Sequence, residues 1–181
     1  DKLVPGDAAY VTSISGLPVP PEQLVSYIYE PAVSPHLAAQ LEKRPVDMKK
    51  IQSDFHHIAT QFDVVVAEGS GGIICPLRMD SSPIMLTDVI QTLHLPILIV
   101  AHAGLGTINS TVLTAAYAKQ HNITVNGIIL NQYDSNNLMH RDNKKQIEHL
   151  TGIPVVACVK SNETELSVSA ELLLHLCNDI S

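Results

Sequence analysis

Glu68 ends a short apolar run, Asp63-Val64-Val65-Val66-Ala67-Glu68, and directly precedes Gly69-Ser70-Gly71-Gly72. An acid so placed sets carboxylate oxygens where glycines let the backbone approach a ligand, and a hard cation such as Mg²⁺ takes oxygen donors. The same residue could instead cap or pair locally in a tight turn. A second candidate is Gly104-Leu105-Gly106-Thr107-Ile108-Asn109, which follows another apolar run and opens a helical pattern. Unpaired N–H groups and the positive end of a helix dipole would suit an anion there. Alternatively, the two glycines only let the chain turn, with the Thr107 hydroxyl as helix cap. This stretch comes close to the dinucleotide fingerprint G-x-G-x-x-G. However, Asn109 stands at the third glycine, and the next apolar run closes on Asn131 rather than on an acid, which makes a dehydrogenase the weakest rival. Asn131 offers donor and acceptor together and so fits a purine edge, although asparagine is also a common turn residue. The nine histidines have no metal-ligand spacing; surface or core roles are expected of them.

These residues need elements to position them. A short helix is predicted from Gly6 through Asp7 and Val11, then a loop through Pro18, Pro20 and Pro21. Ser34-Pro35 reads as an N-cap followed by proline at the first helical position, with Leu37, Ala38 and Leu41 on an apolar face and a helix to about Lys43. Asp47 caps a further helix in which Ile51, Phe55 and Ile58 recur at spacings of four and three. The period then changes. Residues 63–68, 96–101, 125–130 and 154–158 read as buried parallel strands, and 107–120 and 142–150 as helices between them. Strands alternating with helices predict an α/β fold: one domain spanning 1–181, three layers, a parallel sheet with helices on both faces, and function at the carboxyl ends of the strands.

Composition narrows the classes. A chain of 181 residues with 45% hydrophobic content can bury a core without disulfides. Its net charge of −7 argues against nucleic acid or an anionic membrane as partner, since both require clustered Lys and Arg. Three well-separated cysteines in no CxxC spacing suggest a reducing compartment, with cytoplasm as the expected location. No apolar run approaches the roughly 20 residues of a bilayer-spanning helix.

Four stretches in order carry a more specific message: Glu30-Pro31-Ala32-Val33-Ser34-Pro35-His36-Leu37-Ala38-Ala39; Val65 to Gly72 with Pro76; Leu105 to Asn109 with Leu113-Thr114; and Gly127 to Asn131. Together they resemble dethiobiotin synthetase, over the chain to about Pro154. The resemblance implies a P-loop-type sheet and a homodimeric, cytoplasmic ligase of biotin biosynthesis. It would join CO2 to 7,8-diaminopelargonate with MgATP and close the ureido ring of dethiobiotin. It assigns Mg²⁺ to Asp7 and Glu68, and the loop beside substrate and phosphates to Gly69, Ser70 and Gly71. By the same resemblance Ser34 and Pro35 would line the diamine pocket, Gly106, Thr107, Ile108 and Asn109 would bind the substrate carboxylate for the neighbouring subunit, and Asn131 with Gln132 would read adenine. Such chemistry rests on positioning and charge neutralisation.

Two features depart from that pattern. The 181 residues contain no G-x-x-x-x-G-K-[ST] and no Gly-Lys pair, so no catalytic lysine is assigned. Both lysines, the P-loop and the first strand are expected upstream of Asp1, and the chain as written is expected to be inactive on ATP. A non-catalytic, ligand-binding domain of the same fold is the alternative, followed by a different P-loop amidoligase or partitioning ATPase. At Val159-Lys160-Ser161-Asn162 the family's Ile-Pro is replaced, which implies a looser purine pocket.

Overall fold

Residues 125–131 carry a β-branched, apolar pattern that finds partners on both sides. In the computed structural model, which describes residues 3–178, β3 (Ile97–His102), β4 (Val125–Asn131) and β5 (Val155–Val159) form a parallel sheet in the order β3-β4-β5. Ile99 lies opposite Ile128, Ala101 opposite Leu130, and Leu130 opposite Cys158. Alternation sends Ile128 and Leu130 to one face. Both are fully buried, in a cluster with Ile99, Ala103, Val155, Ala115 of helix α5 (Thr107–Gln120) and Ile147 of helix α6 (Leu138–Thr151). The α/β class with a parallel sheet flanked by helices is therefore as expected. The three strands begin and end within one residue of their predicted limits, and α5 has its predicted bounds.

Backbone contacts group the chain into two compact units, Asp1–Leu93 and His94–Ser181, and the sheet just described belongs to the second. Its α6 begins four residues before the predicted Asp142, because Asn137 caps it: Oδ1 accepts from the N–H groups of Met139 at 2.9 Å and His140 at 3.4 Å. The helix α7 (Ala170–Asn178) was not anticipated. It meets the sheet through Asn126, whose amide donates to the Leu176 carbonyl at 2.8 Å.

The first unit is built from helix α1 (Gly6–Ser15), a 3₁₀ turn at Pro21–Leu24, helices α2 (Pro35–Leu41) and α3 (Met48–Ala59), the antiparallel pair β1 (Pro76–Arg78) and β2 (Ile84–Met85), and helix α4 (Leu86–Thr92). Its core is Val46, Cys75, Leu77 and Ile84, with Tyr27, Met48, Ile51, Leu86 and Val89 packed around them. Asp47 caps α3 as expected, accepting from the Lys49 N–H at 2.9 Å.

One expected element does not form. Residues 64–69 make no ladder in either sheet, and Val66 is 81% exposed. Strand preference reflects packing on a pleated surface more than the backbone itself, and a strand requires a neighbour to take its N–H and C=O groups. Among the described residues this segment has no such neighbour, so Glu68 stands in irregular chain rather than at a strand end.

The sheet core yields a direct test. Ile128→Ala removes a fully buried side chain from the central strand and should lower the unfolding free energy by about 2–5 kcal/mol, measured by urea denaturation of the full-length protein.

Candidate functional site

At the carboxyl end of the second unit's sheet, His102 and Asn131 face each other across the ladder, and Asn131 faces Val159. The backbone then turns sharply. The Ala103 N–H donates to the Asn131 carbonyl at 2.9 Å, and the Tyr133 N–H donates to the Val159 carbonyl at 2.8 Å, so the ladder's bonding continues one step past the strands. Two carbonyls of the β3–α5 turn end in the interior, where an unpaired acceptor is costly. The buried Asn143 of α6 satisfies both, its Nδ2 donating to Ala103 O at 2.9 Å and to Gly104 O at 3.1 Å.

Above that turn the helix start is open. Gly106 has φ +89°, a conformation side chains disfavour, and this bend aims the first turn of α5 outward. The Thr107 N–H donates to the Gly104 carbonyl at 3.3 Å, whereas helix geometry leaves those of Ile108 and Asn109 without intrahelical acceptors. Thr107 is not the cap. It is the first helical residue, buried, with its hydroxyl 3.4 Å from that of Thr111. Leu105 beside it is 94% exposed. The unit therefore brings together Gly106, Thr107, Ile108 and Asn109 at one helix start, and Asn131 and Gln132 at the neighbouring strand end.

Asn131 and Gln132 are both exposed. The Asn131 Oδ1 accepts from the Gln132 N–H at 2.9 Å, and Gln132 has φ +57°, so the strand ends in a tight side-chain-stabilised turn. Sequence reasoning missed His102. Its Nδ1 accepts from the Gly104 N–H at 2.9 Å, and its Nε2 lies 2.6 Å from the Gln132 Oε1. Its place directly before an Ala-Gly turn was the available signal. Residues 160–163 fold back on themselves, the Lys160 N–H donating to a Glu163 carboxylate oxygen at 2.9 Å.

In the first unit, Asp7 occupies the opening turn of α1 and is exposed, as is Glu68. Neither carboxylate has a hydrogen bond or ion pair among the described residues. Ser34 holds the N-cap position of α2 with its carbonyl, which accepts from Leu37 and Ala38 at 3.0 Å each, and its exposed hydroxyl makes no cap bond. The glycine-rich loop is fastened from behind: the Thr87 hydroxyl donates to the Ile73 carbonyl at 3.2 Å, and the Leu86 N–H to the Cys75 carbonyl at 2.8 Å. Gly71 has φ +73°. Beside Pro35, a cavity of about 260 Å³ is lined by His36, Gln40, Lys43, Arg78 and Asp80 among others. The bond from Arg78 Nε to Asp80 Oδ1, 2.7 Å long, holds the Asp80 carboxyl below its ordinary range.

No group of three or more His, Cys, Asp or Glu among the described residues could cage a metal ion. Mg²⁺ does not demand such a cage, because it keeps waters and takes one or two carboxylates together with substrate phosphates. Asp7 and Glu68 each carry solvated carboxylate oxygens, the donor type that ion takes. Nucleophilic cysteine is a poorer fit: burial pushes the Cys75 and Cys158 thiols up, away from the thiolate.

A parallel sheet whose strand ends and helix starts converge on small polar side chains is the arrangement of nucleotide-handling α/β domains, and residues 2–167 match a family model described as an AAA domain. The likeness is closer still to particular enzymes. The ATP-dependent dethiobiotin synthetase BioD of Clostridium botulinum strain Alaska is 49% identical over 158 residues, 87% of this chain and 70% of that protein. That of strain Eklund 17B is 47% identical over 163 residues, 90% and 72% respectively, and that of strain 657 is 46% identical over 179 residues, 99% and 78%. This chain belongs to the dethiobiotin synthetase family. The similarity runs well beyond Pro154, where the motifs thin out.

Asn143→Ala would leave the buried Ala103 carbonyl without its donor and the Gly104 carbonyl with only the Thr107 N–H. Stability should fall by about 1–3 kcal/mol, with a shifted urea midpoint and an unchanged m value as the readout.

Proposed function

We propose that the chain acts as an ATP-dependent cyclo-ligase that joins CO2 to 7,8-diaminopelargonate and closes the ureido ring of dethiobiotin, in biotin biosynthesis. The observation that carries this reading is near-half identity to dethiobiotin synthetases over most of the chain, in segments that include the four motifs. ATP use accords with the AAA-domain match. One amine of the diamine takes up CO2 as a carbamate, whose oxygen is phosphorylated by ATP. The second amine then closes the ring and expels phosphate. A protein serving that sequence must hold anions and exclude wrong geometries rather than form bonds itself.

In this proposal Asp7 and Glu68 hold Mg²⁺, which supplies neutralisation of phosphate charge when bound. Gly69, Ser70 and Gly71 run beside the phosphates, where the absence of side chains at the glycines allows close approach of backbone N–H groups. Ser34 and Pro35 line the diamine site, and the uncapped Ser34 hydroxyl is available to an amine. The start of α5, Gly106 to Asn109, binds the substrate carboxylate of a partner subunit in a homodimer, through the free N–H groups of its first turn. Asn131 and Gln132 meet the adenine. The reading includes a single domain over 1–181 and a cytoplasmic location, consistent with the finding that no described helix is long and apolar enough to cross a membrane.

Glu68→Gln in the full-length protein should raise the Mg²⁺ concentration for half-maximal turnover at least about tenfold, since even outer-shell changes cost 10- to 100-fold in metal sites. A parallel titration of Mg²⁺ against bound ATP by calorimetry should show the same weakening. An unaltered Mg²⁺ dependence would remove Glu68 from the site. With the altered 159–162 segment, turnover of CTP and GTP should be measurable beside ATP, and strict ATP use would refute a loosened base pocket.

A further inference from the structure

The imidazole of His102 makes two bonds of opposite kind, and together they fix its chemistry. A backbone N–H can only donate, so Nδ1, 2.9 Å from the Gly104 nitrogen, presents its lone pair. In the neutral ring the proton then resides on Nε2. That nitrogen donates to whatever lies 2.6 Å away, and only the oxygen end of the Gln132 amide can accept. The Gln132 amide is thereby oriented, with oxygen toward His102 and the NH2 group turned away from it. The turn itself admits the ring only because residue 104 is glycine, since a Cβ there would stand 2.8 Å from Nδ1. Below, Asn143 holds the same two turn residues by their carbonyls. Ala103 and Gly104 are thus fixed from one side and Gly104 alone from the other.

We propose that His102 is a positioning residue that sets the amide of Gln132 for the nucleotide base while bracing the Gly104–Gly106 turn that opens α5. The proposal rests on the reading of Asn131 and Gln132 as the base-contacting pair. His102 touches neither ligand in this scheme and acts through the two groups it holds. Gln132 has φ +57° and is exposed, so without the imidazole its side chain would be free to rotate and its amide to flip, and each productive contact with the base would carry an added ordering cost.

The two bonds can be separated. Asparagine at 102 can still accept from the N–H two residues on, as in an Asx turn, yet it is too short to reach Gln132. In the full-length enzyme, His102→Asn should raise KM for ATP about three- to tenfold, the size of one lost hydrogen bond. Gln132→Ala should do the same, and the double variant should be no worse than either single. KM for the diamine should stay within twofold in His102→Asn and rise only in His102→Ala, where the turn loses its brace. ATP binding by calorimetry should follow the KM values, and thermal melting of His102→Asn should match the parent. If Gln132→Ala weakens ATP while His102→Asn does not, or if their effects multiply, the positioning role is overturned and the base-reading assignment stands. If Gln132→Ala leaves ATP binding unchanged, the base-reading assignment fails and the proposal falls with it.

Discussion

Backbone groups at the end of a buried sheet must find partners, and most of what distinguishes the second unit follows from that requirement. Where β3 and β4 stop, the Ala103 N–H still bonds to Asn131, and the carbonyls of Ala103 and Gly104 turn inward to the Asn143 amide. A polar side chain buried in this way makes the turn rigid without covering its outer surface. The outer surface is therefore left as N–H groups, an amide pair and one imidazole, on a scaffold that does not have to rearrange to present them. Reactions governed by charge placement gain most from such prior ordering.

The first unit solves a different problem. Its core is small, centred on Val46, Cys75, Leu77 and Ile84, and its chemistry-bearing residues lie in chain that is neither strand nor helix interior. Asp7 sits where a helix dipole favours negative charge, and Glu68 ahead of glycines that give the loop its path. Among the described residues the two carboxylates form no ion pair. Arg44, Lys50 and Arg78 are instead committed to Glu42, Asp54 and Asp80, pairs that are partly or largely solvated and contribute little to stability.

What could be read from the sequence divides along the same line. β3, β4, β5 and α5 are legible because each satisfies its own pattern locally: short runs of five to seven residues rich in Val, Ile and Leu, and an Ala-containing stretch long enough for a helix. The run at 63–68 has the same composition and is not a strand, because composition does not say whether a neighbour will pair with it. β1 and β2 are three and two residues long, below any period that a pattern can show, and Pro83 interrupts the approach to the second. The α5 start and the Asn131 turn are recognisable as a glycine-flanked helix opening and a strand end. The part of His102 is not, since it depends on a ring meeting an amide 30 residues away.

Central placement of β4 has one more consequence. Both of its edges are occupied, by β3 and by β5, and its inward side chains are fully covered. Its amide protons should be the slowest in the unit to trade with deuterated solvent, since releasing them requires both ladders to part, whereas the amides of 64–69 should trade almost at once. The chain thus contains two clocks of very different speed, one in the sheet and one in the loop that holds Glu68.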